Sequence, residues 1–80
     1  MSVALTLYTR SYCHLCEDME RQLRELQPSL GFELTTLDVD DDPDLLARFD
    51  ELVPVLAAGD RVLCHYHLDL QRLSEALGVR

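Results

Sequence analysis

Val3-Ala4-Leu5-Thr6-Leu7-Tyr8-Thr9-Arg10-Ser11-Tyr12-Cys13-His14-Leu15-Cys16 stands near the start of the chain, and the reading of this stretch decides the fold. Val3 to Tyr8 is an apolar run without helical spacing and rich in strand formers, which predicts a buried first strand. Thr9 to Tyr12 is a short polar loop. From Cys13 to about Gln27 the pattern turns helical: Leu15, Met19, Leu23 and Leu26 recur at three and four residues, with charged residues between them. Pro28 is expected to help stop this helix.

The C-x-x-C of Cys13 and Cys16 therefore follows a strand and opens a helix. Two cysteines so placed can close a small disulfide ring. Cys13, at the helix N-terminus, faces unpaired backbone N–H groups and the positive end of the dipole. Both favour the thiolate, which is the attacking species. Cys16, one turn inside, is expected to be more buried and to act as the resolving thiol. The plainer alternative makes both cysteines small apolar residues. His14 between them either lowers the Cys13 pKa electrostatically or is simply solvated. Arg10 either holds a substrate carboxylate, supports the thiolate or is a plain surface arginine.

Working outward, Phe32 to Val39 reads as a second strand, with Phe32, Leu34, Leu37 and Val39 as its apolar positions. Asp40-Asp41-Asp42-Pro43 is a helix start, with Asp42 as N-cap and Pro43 at the first helical position. A short helix through Leu45, Leu46 and Phe49 follows. Pro54 to Ala58 and Arg61 to Cys64 are two short strands joined by the turn Gly59-Asp60. Leu70, Leu73 and Leu77 stripe a last helix that Gly78 ends. The order is β-α-β-α-β-β-α, an α/β chain. The first two strands, joined through a helix, should be parallel, and the last two antiparallel. A mixed four-stranded sheet with helices on both faces follows.

The chain has 80 residues, enough for a single domain over 1–80, and 48% of them are apolar. A domain of this size buries only about 60–65% of the surface its unfolded chain exposes, so its margin is thin. Met1 to Leu5 carries no basic segment or long apolar run of a leader. No stretch approaches the roughly 20 apolar residues of a membrane span. Three cysteines, an odd number, fit a cytoplasmic protein better than a disulfide scaffold. The net charge is −8, and all seven cations are arginine. That balance argues against nucleic acid and anionic membranes as partners. It also repels glutathione, an anion, unless a local arginine offsets it.

Cys64, at the end of the fourth strand, is expected to be a small buried residue. With His65 and His67 it raises the alternative of a metal site, but neighbouring strand positions face opposite ways. The acidic residues Asp38, Asp40, Asp41, Asp42 and Asp44 lack the glycine and distal glutamate of a calcium loop and read as a solvated loop with a cap. Three functions compete: dithiol–disulfide exchange, a metal or iron–sulfur module built on the same cysteines, and a non-catalytic adapter.

Leu7 to Cys16 resembles a glutaredoxin's strand, basic residue and redox pair. Leu52-Val53-Pro54-Val55-Leu56 resembles the segment that carries the cis-proline of the thioredoxin-like superfamily. With the Asp-rich exit of the second strand, these stretches look most like the glutaredoxin-like family (DUF836). The resemblance implies a thioredoxin-like fold of glutaredoxin type and a thiol–disulfide oxidoreductase with no bound cofactor and glutathione as a possible co-substrate. It implies a monomer acting on a protein disulfide or a glutathione mixed disulfide. It also implies a cis Val53–Pro54 bond beside the cysteines, with the Val53 backbone free to pair with an extended substrate. Arg10, Tyr12, His14, Val53 and Pro54 form the implied substrate-binding set. Two features depart from the pattern. The residues between the cysteines are His-Leu rather than Pro-Tyr, and Cys64 to Asp69 contains no Gly-Gly turn.

Overall fold

Ala4–Thr9 forms β1, and its parallel partner is β2, Glu33–Asp38. Between them runs α1, His14–Leu30. A 3₁₀ turn over Val39–Asp41 leads to α2, Pro43–Phe49. Then come β3, Val55–Ala58, β4, Arg61–His65, and α3, Leu70–Leu77. The structure, a computed structural model, describes residues 3–78. The expected ends of the 1–80 domain, Met1-Ser2 and Val79-Arg80, lie outside the described residues. The strands form one mixed sheet in the order β2-β1-β3-β4, with β1 against β3 and β3 against β4 antiparallel.

Alternation along β1 sends its side chains to two cores. Leu5 and Leu7 join Met19 and Leu23 of α1, Leu56 of β3, Leu63 of β4 and Leu73 of α3 in the larger cluster. Tyr8 turns the other way, to Val39, Val55 and Phe49 of α2, with its ring centroid 4.6 Å from that of Phe49. Helices α1 and α3 therefore cover one face of the sheet and α2 the other.

Four sequence expectations are corrected. Pro28 lies inside the last turn of α1 and does not stop it. The helix runs on to Gly31, whose left-handed backbone (φ 71°) lets its N–H reach the Gln27 carbonyl at 2.8 Å. A proline costs a helix one N–H, and near the C-terminus the remaining bonds carry the turn. Leu15 and Leu70 were placed on buried stripes, yet they are 38% and 59% exposed. Each stands in the first turn of its helix; in α1 the neighbouring Cys16, 3% exposed, takes the buried position of that turn. Leu37 is exposed because β2 is an edge strand, and its polar neighbours Thr35, Thr36 and Asp38 suit an edge.

A bulge in β4 has no counterpart in the sequence reading. Ala57 pairs with Val62 and Leu56 with Cys64, so Leu63 is the extra residue. Leu63 and Cys64, though adjacent, both reach the larger cluster, which an unbroken strand does not allow.

Candidate active site

Tyr8 pairs with Val55, and Val55 with His65. The end of β1, the start of β3 and the end of β4 thus share one edge of the sheet. β2 ends there too, with Asp38 opposite Thr9, so four connections meet at that edge: residues 10–13, 39–42, 50–54 and 66–69.

Cys13 caps α1. Its backbone is extended (φ −113°, ψ 107°), and its Sγ accepts the N–H of Cys16 at 3.1 Å. A cap side chain that accepts such a bond normally carries oxygen, so a sulfur here is held where negative charge is favoured. The two cysteines are joined as a disulfide, their Cα atoms 5.2 Å apart. Cys13 is partly exposed, whereas Cys16 is 3% exposed. An outer sulfur is open to attack and an inner one is reached only through its partner.

Tyr12 precedes the pair with a left-handed backbone (φ 58°) and a fully exposed side chain. For a bulky residue that conformation is uncommon and is not offset by packing here. His14 is also solvent-facing, with Nδ1 4.0 Å from a Glu17 carboxylate oxygen. Its ring is therefore placed beside an acid on the outer surface of α1.

Arg10 is exposed, and its guanidinium is held by two ion pairs. Its Nη1 donates to Asp50 at 2.7 Å and its Nε to Asp40 at 3.2 Å. Its pKa rises above the ordinary arginine value, chiefly through the hydrogen bond to Asp40. Two carboxylates of the chain already take its guanidinium, and it ties the cysteine loop to the 3₁₀ turn and the end of α2. In the acidic cluster Asp42 caps α2, as the sequence predicts, and Asp38 also caps the 3₁₀ turn. Arg10→Met is expected to lower the melting temperature in dilute buffer. That deficit should shrink toward about 1 M salt, where the screening length is only about 3 Å. Thermal melts at the two ionic strengths test it; an equal deficit at both would assign the loss to packing of the alkyl stem.

The Val53–Pro54 peptide bond is cis. Pro54 is buried and Val53 half-buried against the α2 cluster. Tyr66 holds this segment from the β4 side. Its N–H donates to the Pro54 carbonyl at 2.9 Å and its hydroxyl to the Glu51 carbonyl at 2.6 Å. Tyr66 takes a left-handed backbone (φ 64°), a conformation glycine adopts at no steric cost. The sequence reading noted the missing glycines in this region but not the tyrosine that bridges it. The one signal was an aromatic residue between two histidines at the end of a strand.

Cys64 stands apart from the pair, on β4. Burial pushes its thiol pKa up, opposed by a hydrogen bond from the Asp69 backbone. Folding thus favours its protonated form. That contribution is present below the ordinary thiol pKa and is lost as the pH rises through the folded value. In reduced protein, alkylation of Cys64 is expected to stay slower than in the urea-unfolded chain until well above about pH 8.5. Peptide mapping after timed iodoacetamide treatment measures it, and equal rates in folded and unfolded protein would contradict the burial.

Among the described residues no three His, Cys, Asp or Glu side chains converge as a metal-ligand group. Among them also, no helix is long and apolar enough to cross a membrane.

A cysteine pair capping the first helix of this sheet, with a cis-proline segment on the same edge, defines a thioredoxin-like domain. The chain belongs to the glutaredoxin-like domain family (DUF836), which matches residues 4–78. It is 36% identical over 72 residues to an uncharacterized protein of Mycobacterium tuberculosis, Rv0508, covering 84% of this chain and 74% of that one. The solution structure of protein Ne2328 from Nitrosomonas europaea superposes with a TM-score of 0.78 at 39% identity, covering 98% of this chain and 89% of that one. The X-ray structure of protein XcR50 from X. campestris gives 0.72 at 32% identity, covering 92% and 95%. Thioredoxin 1 from Thermosipho africanus shares the fold alone, at a TM-score of 0.63 and 11% identity over 94% of this chain and 90% of that one.

Proposed function

We propose that the protein is a thiol–disulfide oxidoreductase that uses Cys13 and Cys16 as a dithiol. The observation that carries this is the asymmetry of the pair: Cys13 is partly exposed and receives the Cys16 N–H at 3.1 Å, while Cys16 is buried. The Cys13 thiolate attacks one sulfur of a substrate disulfide. That S–S bond breaks, a mixed disulfide forms on Cys13, and the departing thiolate takes a proton from water. The Cys16 thiolate then attacks Cys13 Sγ, releasing the second substrate sulfur as thiolate and closing the Cys13–Cys16 disulfide. Two electrons have passed from the protein to the substrate. External thiol, glutathione being one candidate, returns the pair to the dithiol by the same exchange.

In this reading Tyr12 borders the sulfur as an exposed platform, and Val53 and Pro54 border it from the next connection, where the Val53 backbone would meet an extended substrate. His14 tunes the local charge. The substrate is a protein disulfide or a glutathione mixed disulfide, met by a monomer in a reducing, cytoplasmic setting. No observation favours a metal or iron–sulfur module over this.

A redox titration against glutathione buffers, read by mass after thiol labelling, tests the proposal. The expected result is an internal disulfide with a potential of about −200 to −270 mV, the span of glutaredoxins and thioredoxin. Failure of the disulfide to form at any poise would overturn it.

A further inference from the structure

The surface beside the pair carries a second feature. Leu15, the residue between the cysteines that immediately precedes Cys16, is exposed and lines a shallow hollow with Met19, Gln22 and Leu68 and, from the connection after β4, Tyr66 and His67. Gln22 and Leu68 also line a second, more apolar hollow that continues to Leu26 and Leu70. The two meet at Gln22 and Leu68 as one groove, running from Leu15 along α1 and over the start of α3. Their volumes are about 180 and 350 Å³. Small-molecule sites typically enclose about 300–1,000 Å³. A row of side chains, rather than one small ligand, suits two shallow hollows in line. Asp18 and Glu25 stand along the α1 edge, His67 also lines the first hollow, and among the described residues no arginine lines either. Among the described residues, Arg21 pairs with Asp18 at 3.3 Å.

We propose that this groove docks a protein substrate whose disulfide is followed by an apolar residue and a basic one. The proposal rests on the oxidoreductase reading, since it takes the cysteine pair as the groove's starting point. Charge selects the partner: Glu25, without an ion pair among the described residues and at the apolar end of the groove, in a chain of net charge −8, attracts arginine or lysine and repels acidic segments. Length sets the spacing. Ten residues of α1 separate Leu15 from Glu25, about 15 Å at a rise of 1.5 Å per residue. An extended substrate covers that distance in four or five residues at about 3.3 Å each.

The test uses three peptides with the same internal disulfide, differing only over the fifth residue beyond the cysteine and its neighbour: Leu and Arg, Ser and Arg, or Leu and Glu. Bis(2-hydroxyethyl) disulfide serves as a substrate too small to reach the groove. The Leu/Arg peptide is expected to be reduced with a kcat/KM about tenfold above the others, mainly through KM, the scale of one anchoring residue. In a Leu70→Ser, Glu25→Gln variant that preference should disappear while the small disulfide is turned over as before. Equal rates on the three peptides, or a preference the variant keeps, would overturn the docking proposal. If the small disulfide itself is not reduced, the oxidoreductase reading fails instead. Docking is then decided by titrating the protein with the Leu/Arg peptide carrying serines for cysteines. Amide shifts along α1 and the start of α3 support the groove, and their absence overturns it.

Discussion

Cys13→Ser is expected to abolish disulfide exchange outright, whereas Cys16→Ser leaves a protein that reacts once and stops. The difference follows from where each sulfur sits. Cys13 is the partly exposed sulfur at the helix N-terminus, and its Sγ takes the Cys16 N–H. A serine there keeps the hydrogen bond as an ordinary oxygen cap but offers a hydroxyl, which does not ionise near neutral pH and cannot displace a thiolate. Cys16 is buried, so an incoming disulfide reaches it only through Cys13. Removing its sulfur leaves the first attack intact and removes the second, so the mixed disulfide accumulates. The free cysteine among the described residues, Cys64, lies half-buried on β4 with its thiol pushed toward the protonated form, and it is a poor substitute for Cys16. Intact-mass spectrometry after a brief exposure of each reduced variant to glutathione disulfide gives the answer. The serine-16 protein should carry one glutathione, removable by dithiothreitol, and the serine-13 protein none. Adduct on both in equal amount would mean that Cys64 or Cys16 attacks directly, and the assignment of roles would be wrong.

The elements were legible because their signals are local. A strand, a loop and a cysteine at a helix start announce themselves within Val3 to Cys16, and Asp42-Pro43 marks the start of α2 in two residues. The parallel and antiparallel pairings follow from connection type alone. What escaped depends on contacts distant in sequence. The ion pairs of Arg10 escape a sequence reading because its partners, Asp40 and Asp50, lie 30 and 40 residues away. Tyr66 was passed over because the carbonyls it holds, of Glu51 and Pro54, belong to another connection. The β4 bulge depends on how Leu63 and Cys64 meet the α1 and α3 side of the sheet, which no two-residue alternation reveals. Periodicity also misjudged Leu15 and Leu70. A stripe tells which side of a helix is apolar, not which of its positions reach the core.

That last distinction has a measurable consequence: Leu23→Ala and Leu70→Ala, the same chemical change at two stripe positions, should differ severely. Leu23 is fully buried in the larger cluster, between Leu5 and Leu7 of β1 and the other α1 and α3 side chains. Truncating it removes apolar contact and leaves a void that a tight interior fills only in part, a loss of about 3 kcal/mol. A domain of this size has roughly 4–12 kcal/mol of stability in total. Each kcal/mol lowers the melting temperature of so small a domain by about 4–8 °C, so Leu23→Ala should melt about 12–24 °C below the parent. Leu70 is 59% exposed, and its truncation should stay within about 0.5 kcal/mol. Urea unfolding followed by circular dichroism measures both, with the midpoint moving and the slope unchanged if only native contacts are lost. A large loss at Leu70 would mean that the first turn of α3 is packed into the core after all, and that no open groove exists between it and α1.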